Sequence, residues 1–341
     1  VAEPLTVLDQ AIAAGLLEVR RASLRLLVGF PTRMSRAAAY ESMGIARQRA
    51  MHLRAAEIMP DPGMALRQRT LSVGGPSAEV ANELAAYAET CAADGAWDQA
   101  AEAWLAASRL SPGEPEQNRW LVASVDAAVS AGNLYDALAL TPELERTASS
   151  AQRDGVLGYH QLMLGHRDEA ALLLNRAWQA ALREQTSDEV VAVLAHRLAL
   201  HALVDWDSEG LTKWCEIAIA NAPDTVAGLE ARTMYGLGLG GAGRTEEALE
   251  AYSEVTGQVR TGAQGQRALM GQGWLHLALD RVPLAAHELE MAAPTGVWRG
   301  SSRISLWANA WLAHARVALG DLRAAQAAVD RAIPMLEQTG Q

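Results

Sequence analysis

One spacing recurs along most of the chain: a glycine or aspartate is followed, five residues later, by an alanine. Successive copies of this pair lie 33 to 40 residues apart. The copies are Gly95/Ala100, Gly132/Ala137, Gly165/Ala170, a degenerate Asp205/Gly210, Gly243/Ala248, Asp280/Ala285 and Gly320/Ala325. A period of this length indicates a tandem array of small helical units, because each unit can bury its apolar face only against its neighbours.

Each position of the unit has a physical explanation. The glycine or aspartate ends the first helix of a pair, where the backbone needs a left-handed residue. The alanine faces that helix, since only a small side chain allows two helix axes to approach closely. Small residues seven positions before the turn supply the other side of this contact: Gly158, Gly236, Gly273 and Ala313. Bulky residues nine positions after the turn are expected to fill the space between units: Trp104, Leu174, Trp214, Tyr252, Leu289 and Val329.

This pattern resembles the tetratricopeptide repeat and is in register over about residues 81–341. It predicts an all-α fold, a right-handed helical superhelix of about seven helix pairs that occupies residues 78–341. An ordinary helical bundle with accidental glycine spacing is the alternative.

The repeat register does not extend to the start of the chain. Residues 16–21 and 24–30 alternate like two short strands of a hairpin. One amphipathic segment precedes them at residues 5–14, and two follow at residues 33–43 and 45–59. This layout predicts a small, partial winged-helix linker domain over residues 1–75.

The amino-acid sequence of this N-terminal region resembles the linker of LuxR-family large ATP-binding transcriptional regulators. The resemblance rests on LDQAIAAGLLE from Leu8, FPTRMSRAAAYESM from Phe30 and AMHLRAAE from Ala50. It continues through residues 61–67 and into the first repeat, and it is generic in the later repeats.

The resemblance implies a place for the chain in a larger protein. In that family a signal-transducing P-loop ATPase comes first, then a winged helix, a helical repeat sensor and a DNA-binding helix-turn-helix. We therefore expect a sensing and oligomerisation arm that contacts the ATPase core, self-associates, and reaches DNA only through the helix-turn-helix. ATP or ADP and Mg²⁺ are expected only in the ATPase domain, so this chain itself has no cofactor. The start at Val1 instead of Met agrees with a part of a longer protein.

One position departs from the family pattern. Many such regulators carry a histidine at the position of Thr32, and that histidine reaches the nucleotide phosphates. A threonine can donate one hydrogen bond but lacks the imidazole charge. Coupling to nucleotide through this residue is therefore in question.

Charge and cysteine content exclude several other classes of protein. The net charge of −11 argues against a nucleic-acid-binding surface over most of the chain. Residues 1–70 are nevertheless basic, with 10 Arg against 6 acidic residues. Cys91 and Cys215 have no paired spacing, which disfavours a disulfide framework or a zinc site. No apolar run is long enough to span a membrane, and a cytoplasmic location fits best.

The sequence contains no recognisable catalytic or metal-binding constellation. The only lysine, Lys213, is not part of a Walker A loop. His196 and His201 are five residues apart, so they lie on different faces of a helix and lack a carboxylate at ligand spacing. We predict no catalytic residues, no metal site and no enzymatic activity.

The first helices of such an array line a concave groove, where partners usually bind. Counting back from each turn assigns six candidate residues to this groove, which could hold an apolar or aromatic ligand with a negative charge. They are Tyr159, Arg267, Met270, Trp274, Trp307 and His314. The alternative is that Trp274 and Trp307 fill the core between repeats. In the fourth repeat the same counting predicts a smooth wall of Ala192, Ala195, Ala199 and Ala202.

Three functions compete on this evidence. The first is the sensor arm of an ATP-dependent LuxR-family regulator, in which a small-molecule or protein inducer binds the concave groove. The second is a stand-alone scaffold whose groove grips a peptide. The third, a helical-repeat enzyme, is disfavoured because no nucleophile, base and orienting group can be assembled.

Overall fold

The computed structural model describes residues 4–22, 25–258, 262–294 and 302–339. These residues form eighteen helices and one antiparallel hairpin, which confirms the predicted all-α class with a small β element. The elements are α1 (Pro4–Ala13), β1 (Glu18–Ala22), β2 (Arg25–Gly29), α2 (Arg33–Glu41), α3 (Ile45–Ile58), α4 (Pro62–Ser72), α5 (Ala78–Ala93), α6 (Trp97–Leu110), α7 (Glu114–Ala131), α8 (Leu134–Arg146), α9 (Ala151–Met163), α10 (Arg167–Glu184), α11 (Asp188–Val204), α12 (Ser208–Asn221), α13 (Val226–Gly241), α14 (Thr245–Gln258), α15 (Gly262–Ala278), α16 (Val282–Ala292), α17 (Ser302–Ala318) and α18 (Leu322–Thr339). None of the helices described has the length and apolar character of a membrane span.

The chain divides into two compact units. The first unit comprises residues 1–87 and 106–117, and the second comprises residues 88–105 and 118–341. This division passes through the first helix pair, α5 and α6. The domain boundary near residue 75 therefore stays a prediction.

The hairpin and the short helices of the first unit follow the predicted order. Strands β1 and β2 pair in antiparallel register, with Glu18 opposite Gly29. Thr32 caps helix α2, because its hydroxyl oxygen accepts a hydrogen bond from the amide of Ser35 at 3.0 Å. The Thr32 side chain thus has a local structural role at the position where the family pattern has a histidine.

The repeats follow the predicted turn chemistry with one exception. Five of the seven predicted turn glycines and aspartates are glycines with φ between 75° and 89°, and Asp280 has φ 57°. The alanines five residues after these turns are buried. They lie at positions 100, 137, 170, 248, 285 and 325.

The two helices of a pair pack closely because small residues lie at their contact, as predicted. A Cβ atom built on Gly158 would lie 2.8 Å from Leu174. On Gly273 it would lie 2.6 Å from Leu289. Since real Cβ atoms do not approach other atoms so closely, glycine is what allows these helices to touch.

The fourth pair corrects the sequence register by one residue. The left-handed residue there is Trp206, with φ 55°, and not Asp205. Leu211 and Cys215, five and nine residues later, are buried in the positions predicted for Gly210 and Trp214. The predicted alanine wall is consequently wrong: Ala192, Ala195, Ala199 and Ala202 are buried in the core instead of lining the groove.

A second correction concerns the last helix. Val329 was predicted to fill the space behind its repeat, but it is exposed. The reason is that no described helix follows α18 to cover this position.

Candidate ligand-binding site on the inner face

The first helices of successive pairs contact one another directly. Helix α11 contacts α9 and α13, and α15 contacts α13 and α17. Side chains on the side of these helices that faces away from their second helices therefore form one continuous surface, which we call the inner face.

A group of polar and charged side chains occupies the inner face of the second unit. We call this group the inner cluster: Asp126 from α7, Tyr159 from α9, His196 and Arg197 from α11, Glu230 from α13, Arg267 from α15 and Arg303 from α17. Six successive first helices thus each supply at least one member, although the residues span more than 170 positions of sequence.

Arg197 organises one end of the inner cluster. Its guanidinium group donates a hydrogen bond to the carboxylate of Asp126, 71 residues away in sequence. The same guanidinium lies over the ring of Tyr159, 5.0 Å from the ring centre. This is a cation–π contact, and it is strengthened here because the Arg197 side chain is buried.

Glu230 organises the other end. Its Oε1 atom lies 3.2 Å from Nη1 of Arg267 and accepts a hydrogen bond of 3.0 Å from Nε2 of Gln264. Burial alone would raise the pKa of Glu230, but the charge of Arg267 and the hydrogen bond from Gln264 lower it to about 2. The carboxylate is therefore ionised at neutral pH.

His196 lies between these two ends and is only 7 % exposed. Burial lowers its pKa to about 4, although the nearby charge of Glu230 acts in the opposite direction. The imidazole is therefore neutral at pH 7. Its Nε2 atom lies 3.1 Å from Oε2 of Glu230, but the angles do not form a hydrogen bond, and Nε2 is buried without a hydrogen-bond partner.

Arg303 reaches the inner cluster from α17. Its Nη1 atom contacts the sulfur of Met163 on α9. Its Nε atom is buried and has no hydrogen-bond partner. Because α9 and α17 belong to the third and seventh pairs, this contact joins side chains from repeats that are far apart in the sequence.

The charges of the inner cluster do not balance. It contains three guanidinium groups, two carboxylates and a neutral histidine, which leaves one positive charge. Asp126 pairs with Arg197 and Glu230 pairs with Arg267. Arg303 is the member without a carboxylate partner among the residues that the structure describes.

A second group on the same unit is aromatic. Trp307 and Trp311 stack with ring centres 6.4 Å apart, and Trp206 meets Trp311 edge-on at 6.5 Å. His314 lies 5.8 Å from Trp311. We call these four residues the tryptophan group. Trp206 comes from the turn of the fourth pair and the others from α17, so this group also links distant repeats.

The structure distributes the six predicted site residues over four places. Tyr159 and Arg267 belong to the inner cluster, and Trp307 and His314 belong to the tryptophan group. Met270 packs against the buried residues of α16 and α17. Trp274 packs against the core that contains Leu239 and Tyr252. Their role in ligand binding stays a prediction.

Sequence reasoning missed several members of the two groups. His196 was placed one residue out of register and was interpreted only as a failed metal ligand. The repeat spacing did not predict Arg197, Arg303 and Trp311 as groove residues, because each lies outside the positions counted from the turns. With Trp206 taken as the turn residue, the same counting places His196 on the inner face.

Comparison with known proteins supports the fold. No protein-family model and no curated protein sequence matches the chain. Among solved structures, a Rap protein complexed with competence and sporulation factor matches over 97 % of this chain and 93 % of its own length. Its TM-score is 0.56 and the sequence identity is 11 %.

Two further solved structures are similar. A signal transduction ATPase with numerous domains, which carries a tetratricopeptide repeat sensor and comes from Pyrococcus horikoshii, matches over 99 % of this chain with a TM-score of 0.54 and 13 % identity. This chain spans 53 % of that protein. A tetratricopeptide repeat protein from Parabacteroides merdae matches over 76 % of this chain, with a TM-score of 0.47 and 13 % identity. The chain has the all-α helical-repeat fold of the tetratricopeptide type.

Proposed function

We propose that this chain is the sensing and oligomerisation arm of a bacterial, ATP-dependent regulator of the LuxR family, and that its inducer binds at the inner face. In this proposal the chain is not an enzyme. ATP or ADP and Mg²⁺ bind to an ATPase core elsewhere in the protein, DNA contacts a separate helix-turn-helix, and the whole protein is cytoplasmic. The mechanism is a shift between a resting state and a self-associating state, which an inducer favours by binding one state more tightly.

The observation that carries the proposal is the inner cluster. A purely structural face of a helical array would be apolar or filled by balanced pairs, because burying unpaired polar groups costs free energy. Here two buried nitrogen atoms, in His196 and Arg303, lack hydrogen-bond partners. Groups of this kind are retained where a ligand completes their hydrogen bonds.

Three observations favour the regulator over other sensors. The sequence of residues 5–112 resembles the linker and first repeat of LuxR-family regulators. The repeat sensor of a signal transduction ATPase is among the solved structures with the same fold. In addition, the helices and strands of the first seventy residues form in the predicted order.

The coding sequence on both sides of this region tests the family assignment directly. A P-loop with its acidic second motif upstream and a helix-turn-helix downstream are the expected findings. Flanking sequence that encodes neither would contradict the regulator and favour the second candidate, a scaffold that grips a peptide in the same groove. A scaffold would bind peptides without any nucleotide-dependent change, whereas the sensor responds to a small molecule or a regulatory protein.

A further inference from the structure

The unpaired positive charge of the inner cluster indicates what kind of ligand completes it. We propose that the inner face binds a single carboxylate group, held by Arg303 together with the hydroxyl of Tyr159. This inference rests on the proposed function, since it names the chemistry that an inducer must carry. The carboxylate could belong to a small organic acid or to the end of a peptide.

The first argument is the location of unsatisfied nitrogen atoms. Five buried side-chain atoms have no hydrogen-bond partner in the part of the chain that is described. Two of the five belong to the inner cluster, but Nε2 of His196 lies 3.1 Å from a carboxylate oxygen of Glu230. Nε of Arg303 is therefore the donor that a ligand would satisfy. Folded proteins satisfy nearly all such groups, so the Arg303 nitrogen indicates a donor that is reserved for a ligand.

The second argument is charge. A guanidinium group that is partly removed from water is costly unless an anion compensates it. Asp126 and Glu230 are already occupied by Arg197 and Arg267, which leaves Arg303 to be neutralised. A carboxylate brings the charge of the cluster to zero, whereas a phosphate dianion would leave it negative.

The third argument is the state of the neighbouring donors. Burial raises the pKa of Tyr159, against the opposing effect of Arg303 and Arg197, so its phenol keeps the proton. The pKa of about 4 keeps His196 neutral, so this residue adds no positive charge to the cluster. Arg303 and Tyr159 are close enough for the guanidinium charge to act on the phenol. The guanidinium group and the phenol hydroxyl can therefore both donate hydrogen bonds to a carboxylate.

The binding test uses the full chain and acetate as the probe. We expect acetate to raise the melting temperature more than chloride does at the same ionic strength, because a ligand of the folded state stabilises it. In R303Q the same stabilisation should need about ten times more acetate or be lost. R316Q is the matched control, since Arg316 lies on the same helix, roughly 20 Å along its axis, and pairs with Glu290 instead. Equal acetate effects in R303Q and wild type, or none in wild type, would overturn the proposal.

A second variant distinguishes ligand binding by Arg303 from a purely structural role of this residue. R303M removes the charge and keeps the contact of an unbranched side chain with Met163. If Arg303 serves binding, R303M without acetate should be at least as stable as wild type. A lower melting temperature for R303M would mean that Arg303 stabilises the fold, and the binding site would be refuted.

The source of the carboxylate is separated with a peptide pair. Acetyl-tetraalanine with a free carboxyl end is compared with its amide and with acetate. Tighter binding of the free acid than of either other compound assigns the site to a peptide end, and equal binding of acetate and free acid assigns it to small acids. The proposed function survives failure of the acetate test if another ligand class binds at the inner face.

Discussion

At the scale of single residues, burial and a neighbouring charge act in opposite directions on the pKa of His196. Its pKa is about 4 in the folded protein, against about 6.5 in an unfolded chain. Between these two values the unfolded chain binds a proton that the folded protein does not. The free energy of unfolding therefore falls as the pH drops from 6.5 towards 4.

The variant H196Q tests this linkage. Between pH 7.5 and pH 5, wild type should lose about 2 kcal/mol more of its unfolding free energy than H196Q does. Urea denaturation at a series of pH values measures the difference. His160 is also buried with a lowered pKa, so H196Q should keep part of the acid sensitivity. Parallel profiles for the two proteins would contradict the assignment of His196 as a buried neutral group.

Residue identity alone could not reveal which residue adopts the left-handed turn of the fourth pair. Aspartate tolerates this conformation better than a bulky side chain, so Asp205 was the reasonable choice. The structure places Trp206 there, where its ring meets Trp311 on α17. That contact joins residues 105 positions apart and cannot be inferred from the local sequence. This one-residue error in the turn position assigned the wrong residues of α11 to the inner face.

At the scale of helices, the fifth and sixth pairs depend on a tyrosine held between glycines. The ring of Tyr252 on α14 is fully buried. A Cβ atom on Gly236 would lie 2.5 Å from this ring, and one on Gly271 would lie 2.2 Å from its hydroxyl oxygen. Two glycines on neighbouring first helices therefore make room for one large side chain.

A pair of glycine variants tests this account. G236A should lower the free energy of unfolding by about 1 to 3 kcal/mol, because the ring must move in a tightly packed core. G257A, also in a helix of the fifth pair, has open space at its Cβ and should raise stability by up to about 1 kcal/mol through helix propensity. Denaturant unfolding of both variants measures the two effects. The same sign for both would show that packing does not determine the role of Gly236.

The helices and their contacts could be predicted better from the sequence than the inner cluster could. Turn glycines and small contact residues act locally, so Gly158 and Gly273 could be assigned to helix contacts from spacing alone. Arg197 pairs with Asp126 across 71 positions, and no periodic rule connects them. Groups of charged residues on the inner face depend on the curvature of the array, which spacing does not specify.

At the scale of the whole molecule, the first unit has an apolar surface that the proposed function must explain. None of the described residues of α2, α3 and α4 is buried. Leu26 is 68 % exposed and Ile58 is 70 % exposed. Contiguous apolar patches mark interaction sites, so we predict that these exposed side chains belong to the self-association surface of the proposed arm.

The double variant L26E/I58E tests this interpretation. We expect weaker self-association in sedimentation experiments, with little change in melting temperature because both side chains are exposed. The control L172E/Y135E adds the same charge at exposed apolar residues of the second unit. Equal effects of the two double variants, or an unchanged association constant in L26E/I58E, would argue against this surface as the oligomerisation site.

The central claim is that the inner face binds a ligand, and thermal unfolding with a panel of organic acids, sugars, nucleotides and peptides tests it most directly. The inner-face variant Y159F/W307A removes one hydroxyl of the inner cluster and one ring of the tryptophan group. The control Y135F/L172A makes comparable changes at exposed positions of the same unit. We predict that at least one ligand class raises the melting temperature of wild type and control but much less that of Y159F/W307A. Equal stabilisation of all three proteins, or stabilisation of none by any class, would contradict the claim.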